Sequence, residues 1–188
     1  MRPVVDDLDY ALDGLVRVVE QLRRDDWRRP TVCVGWSVSD VLAHIVSVTR
    51  KFTVFAAGVT DSPRGRVLDA ADSDLPQVLV EAATDSARAW GRCDFTRTCH
   101  LPFGSFDADA AAAINMMDVL VHTWDVTEAV EADYTMPPRL VLPAIEIARR
   151  VVTSEAVAAR QFAAAVRLTA VDSPQDQLLA MTGRTPVR

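Results

Sequence analysis

The sequence predicts an all-α fold, a helical bundle that ends in a short C-terminal helix. Long stretches place apolar residues at three-and-four spacing, and strand-like alternation is nearly absent. A chain of 188 residues, 49% of them hydrophobic, can bury a sizeable core without disulfides. A single domain over 1–188 is expected.

Over 5–27, Leu8, Ala11, Leu12, Leu15, Val18, Val19 and Leu22 recur on one helical face, with acids and arginines between them. Pro30, Thr31 and Gly35 break that periodicity over 28–36. Ser37 then supplies an N-cap and Asp40 an acid for the first turn of a second helix. The inward stripe of this helix is Val41, His44, Ile45, Val48, Phe52 and Phe55. It fades near Gly58, before a polar loop at 60–65. A third helix over 75–90 is opened by Asp72, Ser73, Asp74 and Pro76 and ends near Gly91. Residues 94–103 alternate weakly, as a short extended segment or a crossover loop would. A long helix follows over 107–132, and Pro137 and Pro138 open a fifth that runs through Val151. Residues 155–170 are ambiguous, and Asp172, Ser173 and Pro174 cap a last short helix that ends at Met181, before Gly183.

The long helix is apolar nearly all round but carries one polar stripe. Asn115, Asp118, His122 and Asp125 are spaced three, four and three, and at 100° per residue they fall within an arc of roughly 80°. A helix apolar on its other sides should be buried, and a buried carboxylate costs several kcal/mol unless a cation answers it. Asp118 and His122 leave adjacent turns of one face and can converge on one ion, and His44 in the stripe of the second helix can complete a three-residue site. Zinc accepts imidazole nitrogen and carboxylate oxygen, and three protein ligands with an open position mark catalytic rather than structural sites. Asp125 and Asn115 then serve as supporting groups rather than ligands, Asp125 by accepting a proton from an imidazole. Arg149 and Arg150 offer an alternative counter-charge for Asp118 or Asp125 that needs no metal.

Other chemistry is less well supported. A net charge of −6 argues against nucleic-acid binding, which needs a basic face. Asp6 and Asp7 stand where a signal peptide would have its apolar core, and no 18-residue apolar stretch follows, so a cytoplasmic protein without membrane attachment is expected. Cys33, Cys93 and Cys99 are odd in number and lack metal-type spacing, so reduced, structural thiols are expected. Cys99 and His100 are adjacent and in an extended segment would point to opposite faces, which weakens a nucleophile–base reading. Trp27, Trp36, Trp90 and Trp124 are read as core packing. Phosphate-binding loops, dinucleotide fingerprints and nucleophile elbows are absent.

Three motifs carry a family resemblance. The first runs from Trp27 through Pro30, Cys33, Gly35, Trp36, Ser37 and Asp40 to His44 and Ile45; the second is Asp118, His122, Trp124 and Asp125; the third runs from Asp172, Ser173 and Pro174 to Gly183 and Arg184. Together they resemble the actinobacterial branch of the DinB/YfiT-like superfamily, the mycothiol-dependent maleylpyruvate isomerase N-terminal-domain type. The resemblance implies a four-helix bundle holding a divalent metal, often zinc, through a histidine of the second helix and an acid-x-x-x-His pair on a later one, here His44, Asp118 and His122. It also implies mycothiol, a low-molecular-weight thiol, as cosubstrate. The chain departs from the isomerase in having Asp118 where that enzyme has glutamate, and the isomerase carries an additional C-terminal domain. The expected function is a thiol-dependent transferase or isomerase acting on a small electrophilic substrate. The alternatives are a metal-dependent hydrolase using a bound water and a non-catalytic small-ligand binding protein of the same fold. Pairing into a homodimer is left open.

Overall fold

The computed structural model describes residues 2–59, 74–168 and 173–186. Four long helices form the bundle: α1 (Pro3–Val19), α2 (Val38–Ala56), α3 (Leu75–Trp90) and α4 (Ala108–Ala129). Helices α1 and α2 each pack against both α3 and α4, which closes a ring of four around a continuous apolar core. An antiparallel hairpin, β1 (Thr98–Leu101) with β2 (Gly104–Asp107), leads into α4. Helix α5 (Pro138–Val151) covers the outer side of α4, α6 (Ser154–Ala158) follows it, and α7 (Pro174–Met181) packs on α5. This is the expected all-α bundle, and none of the helices in the described residues is long and apolar enough to cross a membrane.

The pattern of α4 follows from its position. With α1 and α2 on one side and α5 on the other, it has almost no face left for water, and Ala111, Met116, Val119, Leu120 and Val126 are all buried. Its capping is local: the Asp107 carboxylate accepts the Ala110 N–H at 2.7 Å, so one residue ends β2 and starts α4. Helix α2 is fixed by a reciprocal box, in which the Asp40 N–H donates to the Ser37 hydroxyl and the Asp40 carboxylate accepts the Ser37 N–H at 2.8 Å. Helices α2 and α4 run antiparallel, since His44 meets Asp118 while Thr49, further along α2, meets Asn115, earlier on α4.

Some expected boundaries shift. Helix α1 stops at Val19 rather than near 27. The buried Asp26 accepts the Arg23 N–H at 2.9 Å and pairs with Arg23 and Arg29, a side-chain turn that competes with helix continuation and leaves Trp27 in a separate 3-10 turn. The weakly alternating 94–103 segment supplies β1, which pairs with β2, a strand that the sequence pattern does not mark. Gly104 makes the turn at φ +149, where a Cβ would lie 3.0 Å from the Phe106 ring. Helix α6 emerges within the ambiguous 155–170 stretch, capped by Thr153. The expected loop at 60–65, and the Asp72, Ser73 and Asp172 parts of two helix starts, lie outside the described residues.

One residue of α1 works against the fold at neutral pH. Asp9 has a buried carboxylate oxygen without a hydrogen-bond partner among the described residues, and burial, then the charges of Asp13 and Asp6, push its carboxyl up to about 6. Because the folded chain holds this proton more tightly than the unfolded chain does, stability falls as pH rises from about 4 through 6. Asp9→Asn is expected to raise stability at pH 7 by about 1 kcal/mol, after discounting for partial solvent screening. Urea unfolding at pH 7 and pH 3.5 checks this, with the gain confined to pH 7.

Candidate metal centre

The residues expected to meet do meet. His44 from α2 brings its Nε2 to 3.4 Å from Asp118 Oδ1, and His122, one turn further along α4, brings its Nε2 to 3.6 Å from the same oxygen. The two imidazoles meet edge to face with centroids 4.9 Å apart. One ligand atom from each of the three residues can be chosen so that all lie within 4.8 Å of one another. Burial would raise the Asp118 carboxyl, but the neighbouring His44 and His122 outweigh it and hold the group below the usual carboxylate range. For His44, burial works downward and Asp118 upward, and Asp118 prevails.

Behind this trio, Asp125 is fully buried and its counter-charge is Arg184. The guanidinium donates from Nη2 to Oδ2 at 2.6 Å and from Nε to Oδ1 at 3.1 Å, a bidentate fork. Arg149 and Arg150, the alternative suggested by sequence, are exposed on α5, because α5 turns its apolar face to α4 and its arginines to solvent. His122 Nδ1 lies 2.7 Å from Asp125 Oδ2. Burial raises the Asp125 carboxyl, yet its bonds to His122 and Arg184 overcome this and drive it far below the ordinary value, so Asp125 is ionised and accepts only. His122 must therefore carry a proton on Nδ1, and in the neutral ring the Nε2 lone pair faces Asp118 and His44.

The remaining stripe residue, Asn115, is buried one turn before Asp118 and accepts the Thr49 hydroxyl at 3.4 Å. It braces α2 against α4 and makes no hydrogen bond to the trio among the described residues. Sequence reasoning missed Arg184 and Cys33. The Cys33 thiol stands 3.3 Å from Asp125 and 3.6 Å from Arg184, and burial first, then Asp125, push it up to about 11. Arg184 was part of a motif but nothing in its spacing tied it to Asp125. Trp36, expected in the core, is instead 38% exposed, its ring 5.1 Å from His44 and stacked at 6.4 Å on His122. Cys99 and His100 part as expected, one buried and the other exposed on the hairpin.

Among the described residues, two groupings could take a cation: His44 with Asp118 and His122, and Cys33 with His122 and Asp125. The second already holds a cation, the Arg184 guanidinium. In the first, the buried Oδ2 of Asp118 has no hydrogen-bond partner among the described residues, and the donor set of two imidazoles and a carboxylate suits zinc. These residues fit a divalent metal.

The trio opens on a cavity of about 770 Å³, within the range of small-molecule sites. Val48 and Phe52 of α2, Ile114 and Met117 of α4, Phe103 of the hairpin and Phe162 line it. The Gly183–Arg184 segment closes one wall. Gly183 has φ +85, and a Cβ there would stand 2.5 Å from that of Ala163, so glycine lets the last residues pass close enough for Arg184 to reach Asp125.

Comparison with known proteins agrees with this architecture. The family model described as "Mycothiol maleylpyruvate isomerase N-terminal domain" matches residues 8–127. Two uncharacterised proteins from different strains of Mycobacterium tuberculosis are each 27% identical over 177 residues, 93% of this chain and 94% of theirs. A crystal structure of a histidine-to-alanine mutant of the mycothiol-dependent maleylpyruvate isomerase superposes with a TM-score of 0.61 at 11% identity, covering 83% of this chain and 70% of that one.

Proposed function

The chain belongs to the mycothiol maleylpyruvate isomerase N-terminal domain family, and from that premise we propose that it holds a divalent metal, zinc by its donor set, through His44, Asp118 and His122. We propose further that it uses a low-molecular-weight thiol, mycothiol, to transfer to or isomerise a small electrophilic substrate. The observation that supports this most is the pairing of an unpartnered, buried Asp118 oxygen with a His122 ring whose tautomer Asp125 fixes. A dication bound there would favour the thiolate of an incoming thiol, the nucleophilic form, at neutral pH.

The chain's own residues supply the rest. Asp125 and Arg184 orient His122 and turn its Nε2 toward Asp118 and His44. Trp36 covers the two imidazoles on the solvent side and limits access of water. The apolar walls lower the local dielectric and strengthen charge interactions at the site. Cys33, with its thiol pushed up to about 11, stays protonated and does not compete as a nucleophile.

The test combines metal analysis with thiol-dependent turnover. Protein purified without added metal is expected to carry close to one zinc per chain, and to consume an electrophilic substrate only when mycothiol is present, with loss of both on dialysis against a chelator. Turnover that needs the metal but not the thiol would favour hydrolysis by a metal-bound water. Absence of metal from both the natural protein and His122→Ala would favour a binding protein instead.

A further inference from the structure

The cavity has a second polar end. Lys51, the chain's single lysine, lies on α2 seven residues after His44, so it shares the inward face two turns away, about 10 Å along the helix axis. It is half-buried and lines the cavity that contains the metal-ligand trio. Between the two ends the lining is apolar: Val48 and Phe52 from α2, Ile114 and Met117 from the antiparallel α4, and Phe103 from the hairpin. Among the described residues that line the cavity, the other basic side chains are answered or exposed. Arg184 is committed to Asp125, and Arg160 is exposed at the rim. Among the described residues, no carboxylate pairs with Lys51. A half-buried ammonium facing an apolar cavity without an anion is unfavourable for the empty protein. It becomes favourable when a ligand brings the anion.

We infer that the cavity binds an elongated amphiphilic anion, an aliphatic or arylalkyl carboxylate, with its carboxylate on Lys51, its apolar body along Val48, Phe52, Ile114 and Met117, and its distal end at the His44–Asp118–His122 trio. This rests on the proposed metal and thiol chemistry only for what happens at the distal end. It sets the substrate's shape: the electrophilic carbon lies about two helical turns from the charge, so a short, compact diacid cannot reach both ends at once.

Octanoate and octanol, of the same length but different charge, serve as probes, followed by calorimetry and by Trp36 fluorescence with the full chain. The natural protein is expected to bind octanoate at least about tenfold more tightly than octanol. Lys51→Met, close in shape and a good helix former, should erase that preference and leave octanol binding unchanged, which also shows that the cavity is intact. His122→Ala should keep the preference. Equal binding of the two probes by the natural protein, or a preference that survives Lys51→Met, overturns the assignment. Zinc content of the same preparations separates the two proposals. Preference without zinc leaves the Lys51 assignment standing and the metal reading fallen; zinc without preference does the reverse.

Discussion

Asp118→Asn is expected to lose zinc affinity by more than about 100-fold, and to be modestly less stable than the natural protein in chelator at neutral pH. The first half follows from the donor set. Removing a group that only supports a ligand already costs 10- to 100-fold, and Asp118 is the single anionic member of the trio, so a neutral amide in its place should cost more. The second half follows from what the carboxylate does without metal. Its Oδ2 is buried without a hydrogen-bond partner among the described residues, and its Oδ1 lies 3.4 and 3.6 Å from His44 and His122. Desolvating such a charge costs stability, but His44 and His122 outweigh that cost and hold the carboxyl below its usual range, so the ionised form stabilises the fold at neutral pH and the neutral amide gives that up. A residue retained for structure alone would show stability lost and metal content unchanged. Equilibrium dialysis with zinc and urea unfolding in chelator, on the same preparations, read the two quantities separately.

The parts legible in the sequence were those written within one helix. The stripe of Asn115, Asp118, His122 and Asp125 is a property of α4 alone, and 100° per residue suffices to align it. That His44 faces this stripe needed only an apolar stripe on α2 of matching character. What lay between elements was not legible. Arg184 reaches Asp125 from 59 positions away and Cys33 from 92, each from a loop whose path depends on tertiary packing rather than on a local period. The Arg149 and Arg150 alternative failed for the same reason: a pair of charges at a helix end marks the solvent side as readily as a buried partner, and α5 has its opposite face on α4. Trp36 was misplaced because a large aromatic beside a helix start looks the same whether it fills a core or covers a site. The family resemblance supplied the bundle and the named trio, but not the reason His122 presents Nε2, which comes from Asp125 and Arg184 together.

Arg184→Met is expected to destabilise the protein in chelator by about 3 kcal/mol, near the low end of the range for breaking a buried ion pair from one side, or roughly 6–12 °C in Tm for a chain of this size. The cost lies in what remains. Asp125 has no exposed side-chain surface, and without the guanidinium its remaining hydrogen-bond partners among the described residues are the His122 ring and the Cys33 thiol, neither of them a fixed cation. Adding Asp125→Asn to Arg184→Met removes the uncompensated charge and should return most of the lost stability, because the amide oxygen still accepts from His122 Nδ1. If the double variant is as unstable as the single one, Arg184 stabilises by packing its segment against the cavity wall, and the charge pair is incidental. Thermal unfolding of the natural chain, the two single variants and the double variant, all in chelator to remove metal linkage, gives the coupling directly.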